Sequence, residues 1–283
     1  MKQLTQKLKD GELRVIDVPM PVLGKGHILV RVHYSVISAG TEGSTVTTAR
    51  KGYIGKAKER PQQAKQVLES LATKGPIQTY RAVMKKLDAH SPLGYSVAGE
   101  VVEVAPDVAG FTPGDLVAAG GAGYANHAEY VTVPVNLCVK LPSGARLDHA
   151  AYNTVGAIAL QGIRQADLRL GETCVVIGLG LLGQLTCLML RASGVRSVGV
   201  DTKPGVVEIA RKHSADLAFG TEEPGLAQKV LEFTGGIGAD AVIIVTDHKA
   251  YDYAAILKQA VFVFDTRNAM GSLAAEGSKV VRL

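Results

Sequence analysis

The stretch Thr173-Cys-Val-Val-Ile-Gly-Leu-Gly-Leu-Leu-Gly-Gln184 decides the fold of this 283-residue chain. Cys174 to Ile177 form a short apolar run that reads as a buried strand. The run leads straight into Gly178, Gly180 and Gly183 at G-x-G-x-x-G spacing, and the mostly apolar Leu185 to Leu190 continues as a helix. Val198-Gly-Val200 follows as a second strand ending at Asp201, 23 residues after Gly178. The glycines alone are a weak signal. Strand, glycine turn, helix, strand and acid in that order make the fingerprint of a dinucleotide site. Gly178 permits the tight turn, Gly180 lets a diphosphate approach the backbone, and Gly183 lets helix and strand pack closely. Leu179, Leu181 and Leu182 supply the intervening backbone, and the helix start offers N–H groups with a partial positive charge. The competing reading is a glycine-rich turn with no ligand.

Asp201 separates the two nicotinamide dinucleotides. A carboxylate there accepts from both ribose hydroxyls and repels a 2′-phosphate, which favours NAD over NADP. Lys203, two residues on, softens that repulsion.

Apolar residues make up 47% and charged residues 20%, a globular composition with enough chain for two domains. The start, Met1-Lys-Gln-Leu-Thr-Gln-Lys, shows no apolar signal region. The longest apolar stretch, Cys174 to Leu190, is interrupted by three glycines, Gln184 and Thr186, so no membrane span is expected. Cys138, Cys174 and Cys187 read as small hydrophobes in a reducing compartment, and the cytoplasm is the expected location. Residues 43–90 hold ten Lys or Arg against three acids, +7 locally, so the other residues sum to about −2 of the net +5. The basic segment has two aromatics, Tyr53 and Tyr80, and no nucleic-acid motif, so nucleic acid is not an expected partner. Its charge suits either a solvated helical face or a rim for phosphate-bearing substrates.

Residues 1–42 alternate as strands, most clearly Ile28-Leu-Val-Arg-Val-His-Tyr-Ser-Val after a Pro/Gly-rich turn. Ala64, Val67, Leu68 and Leu71, then Tyr80, Val83, Met84 and Leu87, recur at helical spacing around a Gly75-Pro76 break. This predicts a helical hairpin over about 50–90. Strands return from Leu93 to Pro142, and a helix is expected near Asp148–Gln165. The expected domains are 1–147 and 148–283.

Several separate motifs carry a resemblance. Pro19-x-Pro21 before Ile28-Leu-Val-Arg-Val, Phe111-Thr-Pro-Gly-Asp115-Leu-Val, His127-Ala-Glu-Tyr-Val-x-Val-Pro134 and Ala157-Ile-Ala-Leu-Gln-Gly-Ile resemble the medium-chain dehydrogenase/reductase superfamily. Tyr34-Ser-Val-Ile-Ser-Ala-Gly-Thr-Glu42 and Leu93-Gly-Tyr-Ser resemble the dehydrogenase half of bacterial bi-domain oxidoreductases, a branch met among surface-polysaccharide genes. The resemblance implies an α/β chain: a GroES-like β-rich catalytic domain with a helical insert, followed by a Rossmann doubly wound parallel sheet. It also implies oxidoreductase activity on a small-molecule substrate and homo-oligomerisation.

Zinc members of that superfamily carry a Cys where this chain has Ser38, and Gly-His-Glu where it has Gly94-Tyr95-Ser96. Those replacements bind zinc poorly, so a zinc-free protein is expected. Charge developing on a carbonyl oxygen then needs hydrogen-bond donors, and Tyr95, Ser38, Thr41 and His127 are candidates. Glu42 is a candidate general base or sugar-hydroxyl holder. Each has a plainer reading as well: Tyr95 as packing, Glu42 as a helix cap, His127 as a loop fastener. Thr154 sits where family members approach the nicotinamide.

From about residue 241 the chain departs from the family. Val245-Thr-Asp247-His248-Lys-Ala-Tyr251-Asp252-Tyr and Val261-Phe-Val-Phe-Asp265-Thr-Arg267-Asn268 resemble the C-terminal end of UDP-sugar 6-dehydrogenases, which suggests a fusion. The tail predicts a helix over Tyr251–Ala260, a strand over Val261–Phe264 and a last strand over Lys279–Leu283. Three functions stay open at this point. They are an NAD-dependent, zinc-free oxidoreductase of a polar, sugar-like alcohol or ketone, a remnant that only binds dinucleotide, and a C=C reductase.

Overall fold

The computed structural model describes residues 1–50, 61–275 and 279–282, and the chain forms two compact units, Met1–Thr154 and Val155–Leu283. The expected division at 147/148 lies just before this one.

The first unit is built on two antiparallel sheets. A three-stranded sheet has β1 (Lys2–Lys7) between β2 (Leu13–Asp17) and β4 (His90–Pro92). A five-stranded sheet runs in the order β7 (Tyr130–Pro134), β3 (His27–Ser35), β5 (Ser96–Val104), β6 (Leu116–Gly120), β8 (Cys138–Lys140). Alternation along β3 puts Ile28 and Val30 inward against Val97, Val101, Val117, Val131 and Val133. Gly99 on β5 faces the backbone of β3. A Cβ there would lie 2.0 Å from the Arg31 oxygen, beside the register shift between Val32 and Tyr34.

Between β3 and β4 come α1 (Thr41–Arg50), α2 (Pro61–Lys74) and α3 (Pro76–Asp88). The expected hairpin forms around Gly75, whose φ of +79° suits glycine. Its rotation differs from the expected apolar stripe. Thr79 is buried with its hydroxyl 3.2 Å from Ser70 Oγ, and this turns Tyr80 out to solvent. Val67, Val83, Met84 and Leu87 are half-buried, and Leu71 is exposed. The residues 51–60, with Lys51, Tyr53, Lys56, Lys58 and Arg60, and the side chains of Ala64, Leu68, Lys74 and Lys86, lie outside the described residues. In place of one helix near 148–165 there are α4 (Leu147–Ala150) and α5 (Asn153–Gln165).

The second unit is a six-stranded, wholly parallel sheet in the order β11-β10-β9-β12-β13-β14. Its strands are β9 (Thr173–Ile177), β10 (Arg196–Asp201), β11 (Leu217–Gly220), β12 (Ala241–Ile244), β13 (Val263–Asp265) and β14 (Val280–Arg282). The intervening helices are α6 (Leu181–Ala192), α7 (Pro204–Ile209), α8 (Leu226–Phe233) and α9 (Tyr253–Gln259). Connections lead outward from β9 in one direction through β10 and in the other through β12, so the order reverses at the C-terminal ends of β9 and β12. That crevice is where open parallel sheets bind ligands.

The tail completes this sheet. Val263 pairs with Val242 and Val280, and the fully buried Phe264 packs under Gly162 of α5. Asp265 fastens the turn that follows, accepting from the N–H groups of Arg267, Ala269 and Met270. Cys174 and Cys187 are buried in the core, and burial pushes the Cys187 thiol up to about 12. Among the described residues no helix is long and apolar enough to cross a membrane.

Because Phe264 is wholly enclosed, Phe264→Ala is expected to remove about 3–5 kcal/mol of stability, read as a shift in the urea midpoint at constant slope.

Candidate active site

The glycine turn follows β9 directly. Gly178 has φ +99°, and a Cβ there would strike Thr246, just after β12, at 2.6 Å, so the two strand ends meet closely. A Cβ on Gly183 would lie 1.8 Å from the Gly178 oxygen, which shows why helix and strand can approach only without it. At Gly180 the opposite holds: it is exposed, and a Cβ would meet nothing within 4 Å. This open cradle beside the start of α6 fits a diphosphate. Leu179 is fully buried against Gly199, whereas Leu181 and Leu182 are half-buried in the first turn of α6.

Asp201 ends β10 with 9% exposure. Its Oδ2 accepts from the Leu179 N–H at 2.6 Å and its Oδ1 from the Lys203 N–H at 2.9 Å. Each carboxylate oxygen keeps a further lone pair for a ribose hydroxyl. The Lys203 side chain is exposed.

Two nearby residues carry no motif of their own. Gln184 bonds the turn at the Leu179 oxygen, and Tyr251 donates to the Val200 oxygen at 3.3 Å. Burial first, and the Asp201 charge second, raise the Tyr251 phenol above its ordinary range. Tyr251 also borders a cavity of about 640 Å³ on the sheet face, lined by Val175, Ile177, Val200, Leu226, Val242 and Ile256.

In the first unit a polar cluster forms from distant parts of the chain. Glu42 stands in the first turn of α1, where a carboxylate is favoured by the helix N-terminus. Its Oε1 accepts from the Ser38 N–H at 3.0 Å, which is the cap expected as its plainer role. Its Oε2 lies 2.9 Å from His127 Nε2, and His127 Nδ1 lies 2.9 Å from Ser35 Oγ. Glu42 and His127 are 8% and 9% exposed, whereas Ser35 is exposed. Backbone bonds clamp His127 on both sides: its N–H donates to the Leu93 oxygen at 2.7 Å, and its oxygen accepts from the Leu4 N–H at 2.8 Å. Gly94 must lack a side chain, because a Cβ would lie 2.9 Å from the imidazole. With Nε2–H donating to Glu42, Nδ1 is left to accept from the Ser35 hydroxyl, which is the tautomer this pattern favours.

The other candidates occupy different surroundings. Thr41 is exposed, and its oxygen accepts from the Thr45 hydroxyl. Tyr95 is half-buried, and its backbone oxygen lies 3.1 Å from Thr154 Oγ1. Ser96 is consumed structurally, donating to the Ala151 oxygen at 2.6 Å and accepting from the Thr154 N–H at 3.2 Å. Among the described residues, no group of three or more His, Cys, Asp or Glu side chains is placed to hold a metal. Ser35 was missed because nothing local marks it: its partner His127 stands 92 positions along the chain.

Comparison with known proteins agrees with this architecture. Residues 24–143 match the family described as alcohol dehydrogenase GroES-like domain. The chain is similar to D-guloside 3-dehydrogenase of Escherichia coli (strain K12), 32% identical over 155 residues, which cover 53% of this chain and 43% of that protein. It is also similar to an NAD-dependent alcohol dehydrogenase of Sulfurisphaera tokodaii, 27% identical over 260 residues, covering 82% of this chain and 67% of the relative. The chain thus spans less than half the length of the guloside dehydrogenase. In fold it resembles Escherichia coli quinone oxidoreductase complexed with NADPH, with a TM-score of 0.71 at 17% identity, covering 100% of this chain and 81% of the other.

Deleting the imidazole leaves the buried Glu42 carboxylate with the Ser38 N–H alone, so His127→Ala is expected to cost about 3 kcal/mol or more. Ser35→Ala, at an exposed position, is expected to cost about 1 kcal/mol or less. Urea unfolding of the two variants measures the contrast.

Proposed function

We propose that the chain is an NAD-dependent oxidoreductase of the medium-chain dehydrogenase/reductase superfamily, acting without zinc on a polar, sugar-like alcohol or ketone, a reading supported by the matched alcohol dehydrogenase GroES-like domain and the dehydrogenase relatives. The observation that carries the reading is the buried Glu42–His127 pair. It borders both places where the resemblance would put zinc ligands, through the Ser38 N–H on one side and Gly94 on the other. The hydroxyl of Ser38 and the Gly94-Tyr95-Ser96 segment do not form a zinc donor set.

NAD, when bound, takes up or supplies the hydride. Gly178, Gly180, Gly183 and the start of α6 are proposed to hold its diphosphate, and Asp201 its ribose hydroxyls. The apolar cavity beside Val200 suits the flat face of a base. Oxidation of an alcohol to a ketone also releases a proton from oxygen, and the Ser35–His127–Glu42 chain is proposed to accept it. As Ser35 Oγ passes its proton to Nδ1, Nε2 gives its own to Glu42, so no isolated charge is left in the interior.

A sugar-derived substrate is supported by the likeness to a guloside dehydrogenase. The exposed cations Lys65, Arg81 and Lys85 of α2 and α3 favour a phosphate-bearing form of it.

Titration with NADH and NADPH, followed by nicotinamide fluorescence, tests the cofactor half, and the chain has no Trp to interfere. Saturable NADH binding with NADPH weaker by about tenfold or more is expected from the Asp201 charge. Asp201→Asn should narrow that gap while keeping an acceptor for the Leu179 N–H. Failure to bind either dinucleotide would overturn the proposal. Once a substrate is found, Glu42→Gln is expected to lower kcat by about 10²-fold or more.

A further inference from the structure

The residue after the glycine fingerprint, Gln184, has its whole amide engaged, one bond going to the turn and two to the segment that follows Asp201. Its Nε2 donates to the Leu179 oxygen at 3.1 Å and to the Val206 oxygen at 3.0 Å, and its Oε1 accepts from the Ser214 hydroxyl. Both amide hydrogens and the carbonyl are therefore used, a combination Glu, Lys or Met cannot reproduce.

The Leu179 oxygen belongs to the same peptide plane as the Gly180 N–H. In a trans peptide the C=O and N–H point in opposite directions. With the oxygen tied inward to Gln184, the Gly180 N–H is turned to the other side, and Gly180 is exposed with open space about it. The preceding peptide is held the opposite way round: Asp201 takes the Leu179 N–H, and the Gly178 oxygen faces Gly183. Two consecutive peptides are thus locked in alternate senses by two side chains.

Gln184 is itself held. Ser214 is 1% exposed and ends a π-helical turn, Ala210–Ser214, closed by an Ala215 N–H to Ala210 oxygen bond of 2.9 Å. Such turns are uncommon and frequently mark functional positions. Val206 lies in the first turns of α7, so the amide links the glycine turn to the helix that follows Asp201.

We infer that Gln184 is a positioning residue for diphosphate recognition: anchored by Ser214, it turns the Leu179–Gly180 peptide so that the Gly180 N–H faces the ligand. The inference rests on the dinucleotide reading of the same turn.

Gln184→Met keeps the length of the side chain and removes every hydrogen bond. Its Kd for NADH is expected to rise about tenfold, the worth of one well-aligned hydrogen bond. ADP, used as a competitor, should weaken in parallel, whereas adenosine, which has no phosphate, should compete as it does with the unaltered protein. Equal loss for adenosine and ADP would mean general distortion of the site and would overturn the inference. So would an unchanged NADH Kd accompanied only by a lower Tm. Ser214→Ala, which leaves the glutamine in place without its anchor, is expected to raise the NADH Kd about threefold. Should Gln184→Met not fold, an unchanged Kd in Ser214→Ala overturns the inference by itself. If the unaltered protein binds no NADH, it is the dinucleotide reading that fails, which separates the two outcomes.

Discussion

The close approach of Gly183 to the Gly178 oxygen is the constraint on which the second unit depends. With a Cβ on Gly183 only 1.8 Å from that oxygen, α6 could not start where it does. Its buried face, with Cys187 and Leu190, could not then seat on Cys174 and Val176 of β9. The same approach directs the helix N-terminus at the crevice between β9 and β12, so the packing requirement coincides with the proposed diphosphate site. A turn that satisfies the core also presents backbone donors. This is why so short a stretch of chain announces the fold.

The first unit meets a different constraint, a carboxylate and an imidazole taken out of water together. Neither Glu42 nor His127 is tolerable inside alone, and their 2.9 Å contact is what makes either burial affordable. The cluster is anchored mainly through backbone: Leu93 and Leu4 hold the His127 main chain, and the Ser38 N–H holds the carboxylate. Its side chains are thereby held in place by hydrogen bonds within the chain itself.

How far the sequence could be read follows the distance over which each feature is determined. Gly178, Gly180, Gly183 and Asp201 were legible because each answers a local backbone need within one strand–helix–strand unit. The apolar alternation of β3 announced its buried face for the same reason. The Ser35–His127–Glu42 cluster was not legible as a cluster. Glu42 and His127 could be singled out one at a time, but 85 positions separate them, and only the folded sheet brings them together. At the tail, the helix expected to begin at Tyr251 begins at Tyr253. Asp252 caps it by accepting from the Ala255 N–H, while Tyr251 is drawn away to Val200. In the helical hairpin, the Thr79–Ser70 contact outweighed the apolar claim of Tyr80, a side-chain choice that periodicity does not register.

The placement of β13 and β14 bears on the order in which the molecule comes into being. β12, next to the central β9, has its other side covered by β13, and β13 in turn lies against β14 near the far end of the chain. During synthesis the antiparallel sheets of Met1–Thr154 have all their strands available early and can form as a unit while the ribosome is still adding residues. The parallel sheet must wait. Until residues 263–282 emerge, β12 has an uncovered side and the Phe264 site beneath Gly162 is vacant. Parallel pairing between distant strands is also slow to nucleate. The nascent chain therefore passes through a stage in which one half is native and the other exposes an apolar strand edge, the stage at which a holding chaperone would find its substrate.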